Sequence, residues 1–380
     1  MLVLTDSSTL HHRTTELLGS KLIPALECPE RIEVIVAAVQ QESSLELKTL
    51  CFESSPSADK AVLHDLVRNS HDGDYLDYLS TVHAEWVNRG LIKPDETILP
   101  ECFPLQRLSR YKEGTERLRS PPKDIFARSG YYMFDMSAGI SEGTWNSALA
   151  SANLAVEAAK YATKNASAGS CSIMALCRPP GHHCTTRLAG GYCYINNAVV
   201  AAHALRKFHH ENPQEDIQLK IAILDLDFHH GNGTQDYFYK DPSVLYVSIH
   251  GMDEYPYYSG AETEIGEGRG KGFNINYPLP SGSGINEYSK VLESALAAIE
   301  EFHPDYLIVS LGFDTFHLDP LGSFNIETED YRRIATQVHS AAGLKRKPSL
   351  ILLEGGYVLD RLGANLCTFL LGWEDAEHAE

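Results

Sequence analysis

Short apolar runs recur along the second half of the chain, and each gives way at its C-terminal end to a polar cluster. Ser172–Cys177 runs into Arg-Pro-Pro-Gly-His-His, Ile221–Leu224 into Asp-Leu-Asp-Phe-His-His-Gly-Asn-Gly-Thr-Gln, and Val244–Val247 into Ser-Ile-His. Tyr306–Leu311 precedes Gly-Phe-Asp, and Leu350–Leu353 precedes Glu-Gly-Gly-Tyr. Runs this short and this uniformly apolar have the pattern of strands covered on both faces. Helical stretches at Asn197–His209 and Tyr288–Glu301 lie between them, so the alternation predicts an α/β protein with a parallel sheet and covering helices. In such sheets ligands bind outside the carboxyl ends of the strands, and all five polar clusters fall at that edge.

The first half is less regular. Met1–Thr5 reads as a first strand, and Cys28-Pro-Glu-Arg-Ile begins a helix with Pro29 near its start and Ile32, Val34, Ile35, Ala38 and Val39 as its apolar stripe. The stretch from Asn69 begins another helix, with Ser70 the candidate cap and Tyr75, Tyr78 and Leu79 at helical spacing. From about Asn88 to Gly130 the periodicity fails, with Pro94, Pro100, Pro104, Pro121 and Pro122 scattered among basic residues and isolated hydrophobics such as Leu99, Phe103 and Leu105. A stretch of this kind is expected to serve function or assembly. Thr144–Thr163 restores an Ala-rich helix with Leu149, Ala152, Val156 and Ala159 along one side.

Composition narrows the picture. No linker, repeat or low-complexity tract divides the 380 residues, so residues 1–380 are read as one large domain with 88–130 inserted in it. Hydrophobic residues make up 43% of the chain, yet no apolar run is long enough to cross a bilayer. Met1–Thr5 lacks the basic start and longer apolar stretch of a signal peptide. The eight cysteines show no Cys-x-x-Cys pair, which argues against a disulfide framework or a thiolate metal site. The expectation is a soluble protein of a reducing, intracellular compartment, the cytoplasm. A formal net charge of −19 argues against a nucleic-acid groove and favours either solubility alone or attraction of cationic ligands.

The candidate chemistry centres on Ile221–Gln235. Asp225, Asp227 and His229 alternate, and alternate residues of an extended chain share a face, so a carboxylate and an imidazole can converge before Gly231 and Gly233 turn the backbone away. Oxygen and nitrogen donors of this kind suit zinc; the competing reading is a strand end whose Asp and His side chains only bond each other. Asp314, just past its strand, is the natural third ligand, and otherwise a turn or cap residue. Two prolines and a glycine preorganise His182 and His183 for proton transfer. Glu354-Gly-Gly-Tyr allows close backbone approach and presents Tyr357 as a donor to an oxyanion, or as a tyrosine bonded into the core. His209-His210 reads as surface and His11-His12 as incidental. Gly266-Glu-Gly-Arg-Gly-Lys-Gly is a loop, because it lacks the strand, the Gly-Lys-Ser/Thr ending and the helix of a phosphate cradle.

Together, Arg178-Pro-Pro-Gly-His-His, Gly190-Gly-Tyr-Cys-Tyr-Ile-Asn-Asn, Asp225-Leu-Asp-Phe-His-His-Gly-Asn-Gly-Thr-Gln, Val247-Ser-Ile-His, Gly312-Phe-Asp-Thr and Glu354-Gly-Gly-Tyr resemble the zinc-dependent histone deacetylase and acetylpolyamine amidohydrolase superfamily. The resemblance runs from near residue 1 to about 370. It implies an arginase/deacetylase-like fold with a central eight-stranded parallel sheet and helices on both faces. It makes Asp227, His229 and Asp314 ligands of one zinc, His183 the general base and then acid, His182 its electrostatic partner, and Tyr357 the group that polarises the amide carbonyl. Asp225 matches the carboxylate that orients His182. Asn232 stands where many relatives carry aspartate, and an uncharged amide should raise the pKa of His183 less.

Further implications concern the surroundings. Tyr192 and Tyr255 look like the walls of a narrow tunnel, and Arg31, by itself a solvated helix-start arginine, resembles the arginine near the internal acetate pocket. Asp225, Asp227, His229, Ser248 and Ile249 match a potassium site, with Phe238, Asp241, Val244 and Phe273 at a second. Gly130-Tyr-Tyr-Met-Phe-Asp, Ile140-Ser-Glu-Gly-Thr-Trp and the position of 88–130 resemble the acetylpolyamine amidohydrolase branch, in which that insertion builds a homodimer and narrows the tunnel mouth. The expected substrates are small acetylated cationic amines. The chain departs from that branch in one respect: two glutamates that surround the polyamine in a bacterial member align with Phe126 and Ser137, leaving Asp135 the nearest acid to receive a distant ammonium. Leu321 stands where a eukaryotic polyamine deacetylase has a gatekeeper glutamate, so a class II lysine deacetylase acting on acetyl-lysine peptides is the alternative. A non-catalytic acyl-lysine reader is disfavoured by Tyr357, and an arginase-type manganese hydrolase by the lack of additional aspartates for a second metal.

Overall fold

A computed structural model of the chain describes residues 1–104, 120–166, 171–210, 219–341, 343–344 and 347–378. In chain order, β1 (Leu2–Asp6) is followed by a hairpin of β2 (Thr15–Leu18) and β3 (Lys21–Pro24), then α1 (Glu30–Val39), β4 (Glu46–Leu50), α2 (Ser57–Ser70) and α3 (Gly73–Asn88). Next come α4 (Ile125–Tyr131), α5 (Thr144–Asn165), β5 (Ser172–Ala175), α6 (Asn197–His210), β6 (Ile221–Asp225), α7 (Asn232–Phe238), β7 (Val244–Gly251) and β8 (Asn274–Leu279). The last third holds α8 (Ile285–Phe302), β9 (Tyr306–Leu311), α9 (Asp330–His339), β10 (Ser349–Leu353) and α10 (Leu359–His378). Eight strands form one sheet in the order β4-β1-β5-β10-β9-β6-β7-β8, all parallel. This is the arginase/deacetylase-like arrangement.

The unbroken apolar runs follow from burial on both faces. Ile221 and Ile223 of β6, Ile308 of β9 and Leu350 and Leu352 of β10 pack into one core with Ala155 of α5 and Val199 of α6. Their neighbours Ala222, Leu224, Val309, Ile351 and Leu353 point the other way, into a second core with Ile35 of α1, Leu292 of α8 and Leu366 of α10. Each such Val, Leu or Ile side chain contributes about 1.5–3 kcal/mol by leaving water, which keeps the central strands apolar apart from small buried serines such as Ser248 and Ser310.

The edge strands broke that pattern and escaped the sequence reading. β4 reads Glu-Leu-Lys-Thr-Leu and is largely exposed; β8 carries Asn274, Asn276 and Pro278, residues that an edge tolerates and a central strand does not. Ser70 does not cap a helix: it ends α2, where its Oγ donates to the Leu66 carbonyl at 2.8 Å, and α3 starts after Asp72. In the irregular stretch Ile98 bridges to Ile140, Leu99 and Phe103 are half-buried, and Phe103 packs against the core; Leu105 lies outside the described residues. Among the described residues no helix is long and apolar enough to cross a membrane.

Candidate active site

The C-terminal ends of β5, β6, β9 and β10 deliver the polar clusters to one place. Asp227, His229 and Asp314 are buried, and one donor atom from each lies within 4.8 Å of the others. Backbone amides aim the carboxylates: Asp227 accepts from His229 N at 2.9 Å and from Gly355 N at 2.8 Å, and Asp314 accepts from Phe228 N at 2.9 Å. Gly355 is required for that approach, since a Cβ there would stand 2.3 Å from Asp314 Oδ2. His229 Nε2 lies 3.1 Å from the Leu321 carbonyl, which can only accept, so Nε2 carries the proton. The lone pair on Nδ1 then faces Asp314 Oδ2 at 3.0 Å and Asp227 Oδ1 at 3.3 Å.

Three electron-pair donors facing one another call for a cation. The pull is strong: burial opposes charge on His229, yet hydrogen bonds and charge from Asp227 and Asp314 raise its pKa to about 10. Burial and the Asp227 carboxylate also push Asp314 upward. One imidazole nitrogen and two carboxylate oxygens fit zinc and leave coordination open for a ligand.

Beside this cluster the two adjacent histidines are driven apart electrically. Glu354 Oε2 fixes the backbone by accepting from Gly181 N at 2.7 Å and His182 N at 3.2 Å. His182 Nδ1 is 3.1 Å from Asp225 Oδ2, an oxygen that also accepts from the Tyr246 hydroxyl at 2.9 Å. Burial works against charge on His182, but Asp227 and Asp225 outweigh it and raise the pKa to about 10. His183 Nδ1 is 2.8 Å from Asn232 Oδ1, while Asn232 Nδ2 donates back to the His183 carbonyl at 3.3 Å, so Nδ1 is the protonated nitrogen and Nε2 is left with its lone pair. Burial first, then the charges on His182 and His229, hold His183 well below 6.5. The rings are 4.0 Å apart, one disposed to carry charge and the other to accept a proton.

Tyr357 completes the group. Its amide donates to Asp319 Oδ2 at 2.7 Å, and its phenol has no hydrogen-bond partner among the described residues. Burial pushes that phenol well above 10, so it remains a donor. Arg31 stands behind it, with Cζ 5.1 Å from the ring centroid, and donates to the carbonyls of Gly356 at 2.7 Å and Glu354 at 2.5 Å.

The sequence reading missed what holds Arg31. Glu27 Oε1 accepts from Arg31 Nη1 at 2.9 Å and from Arg178 Nε at 2.8 Å, and Arg178 donates onward to the carbonyls of His12, at 2.6 Å, and Thr9. His12 is therefore not incidental: it is buried against this cluster, with Nδ1 3.0 Å from Thr144 Oγ1. His209 is half-buried rather than on the surface, with Nδ1 3.2 Å from the Tyr306 hydroxyl. The four-residue spacing of Glu27 and Arg31 on a helix entrance was the available signal.

A cavity of ≈ 230 Å³ opens onto these groups, with His183, His229 and Tyr357 at one end and Tyr192, Tyr255 and Leu321 in its walls. The Tyr192 hydroxyl donates to Glu16 Oε2 at 2.7 Å, and the Tyr255 ring centroid is 4.9 Å from that of His183. Larger clefts of ≈ 590 and ≈ 470 Å³ touch none of the three cation donors. Ser137 lines the cavity, whereas Phe126 packs on Trp86. Asp135 corrects an expectation. It is not in the cavity lining, and its carboxylate accepts from Tyr255 OH at 2.6 Å, Gly191 N at 2.9 Å and Ser137 N at 3.0 Å, so the structure does not bring it into the cavity beside Tyr192 and Tyr255.

The residues expected at potassium fall in two places, the first at the carboxyl ends of β6 and β7 and the second around Val244, at the opposite end of β7. Asp225 pairs with Ser248 across β6 and β7, next to Ile249, one turn from Asp227 and His229. At the second position the Phe238 carbonyl accepts from Asp241 N at 2.9 Å, the Asp241 carbonyl from Val244 N at 3.3 Å and the Phe273 carbonyl from Tyr246 N at 3.0 Å; the Asp241 side chain is held by Arg206 and Ser243.

A parallel sheet of this order, with a histidine pair and a three-donor cation cluster at its carboxyl edge, defines a class of hydrolase. The histone deacetylase domain matches residues 25–372, and the chain belongs to that family. It is 37% identical to acetylpolyamine amidohydrolase 1 of Pseudomonas aeruginosa over 376 residues, covering 98% of this chain and 99% of that one. It is 35% identical to the acetylpolyamine amidohydrolase of Mycoplana ramosa, covering 97% and 98%. The crystal structure of the acetylpolyamine aminohydrolase from Burkholderia pseudomallei superposes with a TM-score of 0.83 at 31% identity, covering 99% of both chains. The HD domain of HDA15 shares the fold, with a TM-score of 0.72 at 24% identity over 99% of this chain and 89% of that one.

Proposed function

We propose that this hydrolase removes acetyl groups from small acetylated polyamines and diamines. The observation that carries the reading is similarity over 98% of the chain to relatives named for that reaction. A cavity of ≈ 230 Å³ with Tyr192 and Tyr255 in its lining, which suits an aminoalkyl chain, supports it.

Asp227, His229 and Asp314 hold one zinc ion in this reading. When bound, zinc supplies Lewis acidity that polarises the amide carbonyl and activates water at neutral pH. His183 accepts a proton at Nε2 and returns it to the departing amine nitrogen, a role worth roughly 10²–10⁴-fold in rate. His182, bonded to Asp225, and the Tyr357 phenol stabilise negative charge developing on the carbonyl oxygen. Asn232 fixes the His183 tautomer, and Arg31 positions the Glu354–Tyr357 turn.

Potassium is proposed at the two positions around Ser248 and Asp241, and residues 88–130 as a homodimer contact in a single deacetylase domain of 1–380, working in the cytoplasm. The second reading, a class II lysine deacetylase, draws on Leu321 in the cavity wall where the polyamine-specific glutamate would stand. A turnover panel of acetylputrescine, acetylspermidine, acetylcadaverine and an acetyl-lysine peptide on zinc-loaded protein separates the two. The small amines should be processed with the higher kcat/KM; preference for the peptide would replace the first reading with the second.

A further inference from the structure

Glu254 lies three residues beyond β7 and lines the cavity beside Tyr255. The backbone is shaped to place it there. A Cβ on Gly251, the last residue of β7, would stand 2.8 Å from Glu254 Cγ, so glycine leaves room for the stem. The Glu254 carbonyl closes a turn by accepting from Tyr257 N at 2.8 Å. Oε1 accepts from Ser323 Oγ at 3.1 Å, which fixes the rotamer. Oε2 has no hydrogen-bond partner, and the side chain no ion-pair partner, among the described residues.

The other acids around the cavity are committed. Glu16, the second carboxylate in the lining, is buried and accepts from Leu26 N at 2.9 Å and Tyr192 OH at 2.7 Å. Asp135 is held by three donors outside the lining. No lysine or arginine lines the cavity among the described residues. Glu254 therefore presents a half-buried carboxylate oxygen to a passage whose other carboxylate, Glu16, is already hydrogen-bonded through both oxygens.

We propose that Glu254 receives the distal ammonium of an acetylated diamine or polyamine and sets the enzyme's preference for cationic over neutral acetylated amines. The inference deepens the deacetylase reading and rests on it. An ammonium offers three donors and a full charge, so its bond to a carboxylate is charge-assisted. Partial burial reduces screening relative to a pair on the open surface. Because Tyr255, the next residue, touches the His183 ring, an ammonium held by Glu254 lies one wall away from the proton-transfer site.

The test compares acetylcadaverine with N-hexylacetamide, which replaces the ammonium by a methyl group at equal length. The readout is the ratio of their kcat/KM values in zinc-loaded wild type, Glu254→Gln, Glu254→Lys and Ser323→Ala at low and high salt. Wild type should favour the cation. Glu254→Gln should lower the ratio about tenfold, the loss expected for one charge-assisted contact, Glu254→Lys should lower it further, and Ser323→Ala should lower it less. High salt should shrink the wild-type ratio and leave that of Glu254→Gln nearly constant. Unchanged ratios in both Glu254 variants, with wild type still favouring the cation, would overturn the assignment to Glu254 alone. A wild-type ratio near one would instead sink the cationic-substrate reading itself, and this inference with it.

Discussion

Replacing Asn232 by aspartate should move the pH dependence of the reaction without rearranging the site. Asn232 Oδ1 is 2.8 Å from His183 Nδ1, and aspartate can place a carboxylate oxygen at the same point. In the wild type the ring is held well below 6.5 chiefly by burial, with the amide the weakest of the influences on it. At 4 Å and an effective dielectric constant of 20, opposite unit charges attract by about 4 kcal/mol, and a carboxylate within bonding distance typically shifts its partner by about 1–3 pKa units after desolvation losses. The sign is fixed by the role. A general base must be unprotonated, so raising its pKa moves the acid limb of the kcat/KM profile to higher pH by about 1–3 units. Activity near pH 6 should fall far more than activity near pH 8.5. Profiles of acetylputrescine hydrolysis by wild type and Asn232→Asp, with zinc content measured at each pH, provide the assay. An acid limb that stays in place, with zinc retained, would remove His183 as the base.

Three further outcomes follow from the geometry. Tyr357→Phe should keep the fold and the bound zinc while lowering kcat by about 10²–10³-fold, the cost of one oxyanion donor; full activity would exclude the phenol from the reaction. Burial pushes His71 down to about 4, with Nε2 accepting from Asn196 N at 3.0 Å and Nδ1 3.0 Å from the Thr185 carbonyl. Its contribution is complete above pH 6.5 and is lost as pH falls toward 4, so between pH 7 and 5 it should cost about 2 kcal/mol of stability. His71→Gln should remove that share of the pH dependence in urea titrations, and an identical pH dependence in the variant would contradict it. Light scattering at micromolar concentration should give a dimer mass; a monomer with full turnover would refute an assembly role for residues 88–130.

Sequence alone revealed the parts in which one physical demand dominates. The central strands were legible because burial on both faces leaves Ile221–Leu224 and Leu350–Leu353 wholly apolar and Ser310 the one small polar residue in Leu307–Leu311. β4 and β8 were not, because an edge strand needs no apolar run: β4 is polar and largely exposed, and the buried Asn274 and Asn276 of β8 donate to Gln235 Oε1 at 2.8 Å. The cation donors and histidine pair stood out because rigid turns at strand ends leave them few other roles. The Glu27–Arg31–Arg178 cluster with His12 did not, since its members come from separate segments and only the fold joins them. Asp135 was misread for the same reason. The hydroxyl that occupies it, on Tyr255, is 120 positions away, and no local pattern announces that bond.

Acetate release should depend directly on zinc bound by the three donors. Protein stripped of metal should be titrated with zinc while acetate release from acetylputrescine is followed. Activity should rise in proportion to added zinc and level off at one equivalent per chain, as a single set of Asp227, His229 and Asp314 requires. A need for two equivalents, or no release at any loading, would contradict it.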